Sequence, residues 1–262
     1  MCRLLGVVSS ETTDFRFSLH EAPKSLAVLS TEHAHGWGLA VHGDRGWSLH
    51  RNPVRAGDCA RFRELAASAR GEVLLAHIRK RTVGPIGLEN THPFLQGRWV
   101  FAHNGTIEDI GWFEERTSAS RRAEVVGQTD SERLFAWLLS ELDGAASERA
   151  SIDRALARCT ELILSCPRLG VANFLLSDGE SLYAFRAGRT LFLLERHPGD
   201  PVRRTRAAVE TEAELLTPWS PRRHAVLLAS EAMTNEPWRE VAEHTLLRID
   251  RGSSPQPTVL RA

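Results

Sequence analysis

An α+β layered fold is predicted by three features of this chain of 262 residues. Short apolar runs that read as strands come first, helix-spaced runs fill the middle, and strand-like runs return in the last third. That order is the one produced when helices are segregated outside packed sheets. No internal repeat and no linker divides the chain, so a single domain over residues 1–251 is expected, followed by a loose tail over 252–262.

Each element has its own signal. Arg3 to Ser9 is a short apolar strand, which anchors a chain end that would otherwise fray. Leu19, Ala22, Leu26 and Leu29 mark one apolar face of a helix over Ser18 to Leu29. His35-Gly36-Trp37-Gly38 opens a strand through Val41, and Gly43-Asp44-Arg45-Gly46 is a hairpin turn into Trp47-Ser48-Leu49. Asp58 to Arg70 has helical spacing, with Asp58 as N-cap. Glu72 to Arg79 holds a continuous apolar run that suits a strand buried on both faces. Thr82 to Pro93 reads as a loop, and Trp99 to Ala102 as a strand that stops at His103-Asn104-Gly105. Helices follow at Ile107 to Arg116, Asp130 to Leu142 and Ala150 to Ser165. Thr129 caps the second of these, with Glu132 completing a capping box. Strands return at Ala172 to Leu176, Leu182 to Arg186 and Thr190 to Leu194, the first two joined by a turn at Ser177-Asp178-Gly179-Glu180. A polar segment, Arg203 to Glu214, precedes Pro218 and Pro221, and Ala225 to Ala229 and Thr245 to Ile249 are the last strands.

Composition excludes some functions. Lys+Arg and Asp+Glu balance at 33 each, leaving no overall basic field to attract nucleic acid or anionic lipid. No apolar run approaches the roughly 18 residues of a membrane span, and Leu4-Leu5-Gly6-Val7-Val8 is too short for a secretory signal. A cytoplasmic protein is expected. Cys2, Cys59, Cys159 and Cys166 lack the close pairs of a zinc site, and that compartment disfavours a disulfide frame. Cys159 and Cys166 lie in an apolar helical pattern and read as buried thiols.

Cys2 stands apart from the other three. Methionine is normally trimmed ahead of a small second residue, which would give Cys2 a free α-amine beside its thiol. The unperturbed groups titrate at about 7.7–8.0 and about 8.5, close to balance at neutral pH. One residue would then supply both nucleophile and base. Arg79, Asn104-Gly105 and Asp130 are further polar groups at the ends of predicted strands and helices. Taken singly, each has an ordinary reading: a surface cation, a hairpin-turn dipeptide, and an acid supporting a helix N-terminus.

Taken together, they resemble a family. Met1-Cys2-Arg3-Leu4-Leu5-Gly6, His77-Ile78-Arg79, Asn90-Thr91-His92-Pro93-Phe94, His103-Asn104-Gly105 and Gln128-Thr129-Asp130-Ser131-Glu132 match, in order and rough separation, the class II glutamine amidotransferases. His35-Gly36-Trp37-Gly38, Leu176-Ser177-Asp178-Gly179 and Ser230-Glu231 resemble the compact stand-alone bacterial members. The resemblance implies an N-terminal-nucleophile hydrolase with a four-layer αββα sandwich of two antiparallel sheets. It implies Cys2 as nucleophile on the glutamine γ-amide, with Asn104 and Gly105 as oxyanion donors. Arg79 and Thr82 would hold the substrate carboxylate and Asp130 its ammonium. No metal or cofactor is implied. Two departures touch the substrate rim: Lys80 stands where the synthase members usually have an aromatic residue, and the His-Gly-Trp-Gly run replaces their Arg-Gly loop. No second catalytic domain is recognisable, so any ammonia-using acceptor is expected on a partner subunit.

Three rival readings differ in chemistry. His33, His35, His77, His92 and His103 fall in one region, but they lack a metal-hydrolase spacing and leave Cys2 unexplained. Compact relatives also resemble enzymes that hydrolyse other γ-glutamyl amides, including an intermediate of sulfur-containing histidine-betaine synthesis; the same Arg79–Asp130 clamp would serve. A non-enzymatic binding module retaining the fold is the third, disfavoured because every expected catalytic residue type is present.

Overall fold

Alternation along each strand builds two buried layers and a third between them. In the computed structural model, which describes residues 2–198, 200 and 222–261, the first sheet begins with β1 (Arg3–Asp14), β2 (Trp37–Gly43), β3 (Gly46–Asn52) and β4 (Arg70–Ile78). The second takes β5 (Phe94–Gln96), β6 (Trp99–Ile107), β7 (Gly170–Ser177) and β8 (Ser181–Phe185). The chain then returns to the first sheet with β9 (Phe192–Arg196), β10 (Ala225–Ala229) and β11 (Arg239–Glu240). It finishes the second with β12 (Leu246–Asp250) and β13 (Pro257–Arg261). The strand orders are β11-β9-β10-β1-β4-β2-β3 and β13-β12-β8-β7-β6-β5, with antiparallel neighbours.

Side chains of one parity meet between the sheets: Leu4 and Val8 of β1 and Leu75 of β4 pack with Val100 and Ala102 of β6. The other parity of the first sheet, Leu5, Leu74 and Ala76, packs in one cluster with Leu26 of α1 (Leu26–Leu29) and Phe62 and Leu65 of α2 (Ala60–Ser68). Phe101 of β6 and Phe174 of β7 face the opposite helical layer, which holds α3 (Ile110–Arg116), α4 (Ala119–Ala123), α5 (Asp130–Asp143) and α6 (Arg149–Ser165). The result is the expected αββα sandwich. Among the described residues, no helix is long and apolar enough to cross a membrane.

Several local expectations are corrected. The helix over Ser18 to Leu29 breaks into a π-helical turn, Phe17–Glu21, and α1, because Ala22 precedes Pro23 and is extended. Cys59, not Asp58, precedes α2, and Asp58 closes a 3-10 turn instead. β6 does not stop at His103: it runs to Ile107, pairing Asn104 with Asn173 and Gly105 with Ala172 of β7. The hairpin-turn reading of Asn104-Gly105 is therefore wrong. Asp109 caps α3 by accepting from the Trp112 N–H at 3.1 Å, and α4 was not anticipated. Thr129 caps α5 as expected, but Glu132 turns to the Val126 and Gly127 N–H groups, so the box is half formed. The tail is not loose either. Residues Pro257–Arg261 form the sheet-edge strand β13, where a proline at the first position removes no needed ladder bond. The polar segment Arg203 to Glu214 and Pro218 and Pro221 lie outside the described residues.

Candidate active site

Strand register brings the distant motifs to one end of the sandwich. Arg3 of β1 lies opposite Ile78 of β4, so Cys2 and Arg79 leave their strands side by side. Leu5 lies opposite Ala229, and Ser230 therefore follows β10 to the same end. There the Leu4 N–H donates to Ser230 Oγ at 2.9 Å and the Ser230 N–H to the Leu4 carbonyl at 3.1 Å. Cys2 Sγ sits against the Lys80 backbone, accepting from its N–H at 3.3 Å and reaching its carbonyl at 3.4 Å. Burial pushes the thiol above its ordinary pKa; the Lys80 N–H and the Arg79 cation pull the other way, and the Asp130 charge adds to the rise. The balance expected from unperturbed groups therefore shifts. The thiol keeps its proton until a base takes it.

Arg79 is buried and continues the ladder past β4, its N–H donating to the Gly36 carbonyl at 2.8 Å and its carbonyl accepting from His35. The His35-Gly36-Trp37-Gly38 run is thus a brace. Gly38 lets His92 approach: a Cβ there would sit 2.0 Å from the His92 carbonyl. Trp37 is a core residue, edge-on to Phe62. The Arg79 guanidinium donates to the carbonyls of Val83 at 2.8 Å and Pro85 at 2.9 Å, gathering the loop beyond it. Thr82 stands exposed on that loop and joins none of these contacts. Lys80, the departure from the family pattern, exposes its side chain and offers only its backbone to Cys2.

The second sheet supplies the remaining groups. Asn104 points between the sheets, where its Nδ2 donates to Ser230 Oγ at 3.4 Å and ties the sheets together. β5 pairs with β6 only as far as Phe101, so among the described residues the later part of β6 has no strand on that edge. The Ile107 N–H uses the open edge to donate to Asp130 Oδ2 at 2.7 Å. Gly105, two residues earlier in the same strand, directs its N–H the same way. Asp130 is buried at the first turn of α5. Gln128 is held by Asn90 Oδ1 at 2.7 Å and Gly127 by Glu132, fixing the approach to that helix.

The family model for class-II glutamine amidotransferases matches residues 1–260. The chain belongs to that family. It is 28% identical over 256 residues to YafJ of Escherichia coli, named as a candidate glutamine amidotransferase, covering 92% of this chain and 94% of that protein. It is 31% identical over 118 residues to the gamma-glutamyl-hercynylcysteine sulfoxide hydrolase of Mycobacterium tuberculosis, covering 41% of this chain and 50% of that one. A crystal structure of a predicted glutamine amidotransferase from Pseudomonas aeruginosa superposes with a TM-score of 0.66 at 24% identity, covering 97% of this chain and 99% of that one. The protein is thus an enzyme of the amidotransferase and amidohydrolase type.

Within this amidotransferase, sequence reasoning quoted Ser230 without giving it a role. It is the acceptor that joins Asn104 to β1, a function with no signature of its own in one sequence. Glu231, quoted beside it, had no role assigned either. Burial would raise its carboxyl, but Arg3 and Lys24 outweigh that and hold it below its ordinary value, locking the strand that carries Cys2. Among the described residues, no group of three His, Cys, Asp or Glu could hold a metal. Four of the five histidines, His33, His77, His92 and His103, are instead buried and His35 is half-buried; the rings of His77 and His92 lie 4.3 Å apart between centroids. Burial, with the Arg79 cation, pushes His77 down to about 3; burial, with Arg3, pushes His33 down to about 4; His92 is lowered in the same way. All three are neutral in the fold, whereas the unfolded chain takes up protons below about pH 6.5. The contribution of these three histidines to folding stability should therefore be flat above about pH 7 and fall below it. Each of the three is expected to contribute a loss on the order of 1 kcal/mol between pH 7.5 and 5.5. Urea unfolding at those two pH values measures this, and equal stabilities would contradict it.

Proposed function

We propose that this enzyme hydrolyses the γ-amide of L-glutamine through a Cys2 thioester and releases ammonia. With Met1 removed, the Cys2 α-amine takes the thiol proton and sulfur attacks the amide carbon. The oxyanion is held by the Asn104 side-chain N–H and the Gly105 backbone N–H. The C–N bond breaks as the amine returns its proton to the leaving nitrogen, and water then cleaves the thioester to glutamate. Arg79 binds the substrate α-carboxylate after turning from its loop carbonyls, with Thr82 beside it, and Asp130 binds the α-ammonium. The observation that carries this reading is the convergence of Cys2, Arg79 and Asp130 at one end of the sandwich, where both charges act on the thiol. A cytoplasmic location and a partner subunit that consumes the ammonia complete the proposal.

A second reading, hydrolysis of another γ-glutamyl amide, is favoured by the similarity to the mycobacterial hydrolase. The glutamyl half of such a substrate would bind identically. The test is glutamate release by protein whose terminus mass spectrometry shows to be Cys2, supplied either with L-glutamine or with a γ-glutamyl amide of a bulky amine. Turnover of L-glutamine is expected. Turnover of the bulky amide alone would favour the second reading, and turnover of neither would overturn both.

A further inference from the structure

Asp130 is flanked by a buried pair that the proposed mechanism does not use. Ser131 Oγ lies 2.9 Å from His103 Nδ1 and 3.4 Å from Asp130 Oδ1. All three side chains are at least nine-tenths buried. The hydroxyl has one hydrogen and two candidate acceptors.

His103 decides between them. Its Nε2 lies 3.1 Å from the Val171 carbonyl, which can only accept, so Nε2 carries a hydrogen. Burial lowers the ring's pKa, against the pull of the Asp130 charge and the Val171 carbonyl, and the imidazole is neutral at neutral pH. A neutral ring protonated at Nε2 has a bare Nδ1. The shorter of the two contacts is therefore an acceptor for the Ser131 hydroxyl.

We propose that His103 is a positioning residue for recognition of the substrate's α-amino group. By drawing the Ser131 hydroxyl hydrogen to Nδ1, it keeps that hydrogen off Asp130 Oδ1. Asp130 Oδ2 is already engaged by the Ile107 N–H. Oδ1 is then the oxygen left for an incoming ammonium, and among the described residues no other donor competes for it. Without His103, the hydroxyl would rotate to Asp130 and compete with substrate. This inference rests on the reading of Asp130 as the ammonium ligand.

The test is calorimetric binding to Cys2→Ala protein, which holds substrate without turnover. The ligands are L-glutamine and 4-carbamoylbutanoate, the same amide lacking the α-amine. In that background Ser131→Ala is expected to bind L-glutamine as tightly as the parent or more tightly. His103→Leu is expected to weaken L-glutamine about tenfold, the scale of a hydrogen bond to a charged group, and to leave 4-carbamoylbutanoate unchanged. Adding Ser131→Ala to His103→Leu is expected to restore the affinity, a rescue that a merely structural role would not give. A Ser131→Ala protein that loses tenfold for L-glutamine would overturn the inference, and this variant decides even if His103→Leu does not fold. Asp130→Asn separates the two levels. If it leaves the preference for L-glutamine over the des-amino ligand intact, the Asp130 reading itself fails and this inference falls with it.

Discussion

Cys2→Ala protein is expected to release glutamate from neither L-glutamine nor any γ-glutamyl amide, a loss on the order of 10⁴–10⁶-fold, as when other hydrolases lose their nucleophile. The size follows from the site's construction. In the proposed mechanism Asn104, Gly105, Arg79 and Asp130 would bind and polarise the amide, but no other described thiol or hydroxyl sits at the Lys80 backbone where Cys2 Sγ is held. Cys59, Cys159 and Cys166 belong to the helical layers. The base must be lost as completely as the nucleophile when Met1 stays attached. Burial raises the thiol, so an amide nitrogen in place of the α-amine leaves it protonated at neutral pH. Cys2 protein retaining Met1 is therefore expected to be as inactive as Cys2→Ala, although its thiol is intact. Parallel assays of the two, with the terminus of each verified by mass, check this. Full activity with Met1 attached would mean that another group takes the thiol proton. Residual activity in Cys2→Ala beyond a thousandth of the parent would remove Cys2 from the mechanism altogether.

How far the sequence could be read depended on whether a feature was local. The sandwich was legible because period-two alternation and helical spacing are carried by neighbouring residues, as in Leu4, Gly6 and Val8 against Leu5 and Val7. Cys2, Arg79, Asn104, Gly105 and Asp130 could be singled out as candidates because each sits in a short ordered motif. Ser230 was opaque, since its partners Leu4 and Asn104 lie 226 and 126 residues away along the chain. The edge strand Pro257–Arg261 was opaque for a related reason. Its Pro/Ser-rich approach signals a coil, and only β12, already in place, makes it a strand. Asn104-Gly105 misled in the opposite direction. A dipeptide that turns a hairpin when isolated stays extended here, because β7 pairs with it on one edge and Asn104 bonds Ser230 between the sheets.

Gly105→Ala, the second of the large effects, follows from that same strand. Gly105 carries no strained dihedral, so the argument rests on space alone. A Cβ would lie 1.9 Å from the Val171 carbonyl oxygen and 2.5 Å from His103 Nε2. The first is backbone in a central strand of the second sheet and cannot swing aside as a side-chain tip could. Either β6 moves away from β7, breaking the pairing of Gly105 with Ala172, or His103 leaves the Val171 carbonyl it now occupies. Overpacking of this kind costs about 1–3 kcal/mol, and more where the obstacle is rigid. The N–H of residue 105 moves with the strand. If it is an oxyanion donor, displacing it from the developing charge lowers kcat by about 10²–10³-fold, the cost of one lost donor. KM should change far less if Arg79 and Asp130, on other elements, hold the amino-acid end of the substrate as proposed. The informative measurement is therefore kcat and KM on Gly105→Ala protein shown by circular dichroism to remain folded. A folded variant with parental kcat would take Gly105 out of the oxyanion site, and a collapse of KM with kcat intact would make it a substrate-binding residue instead.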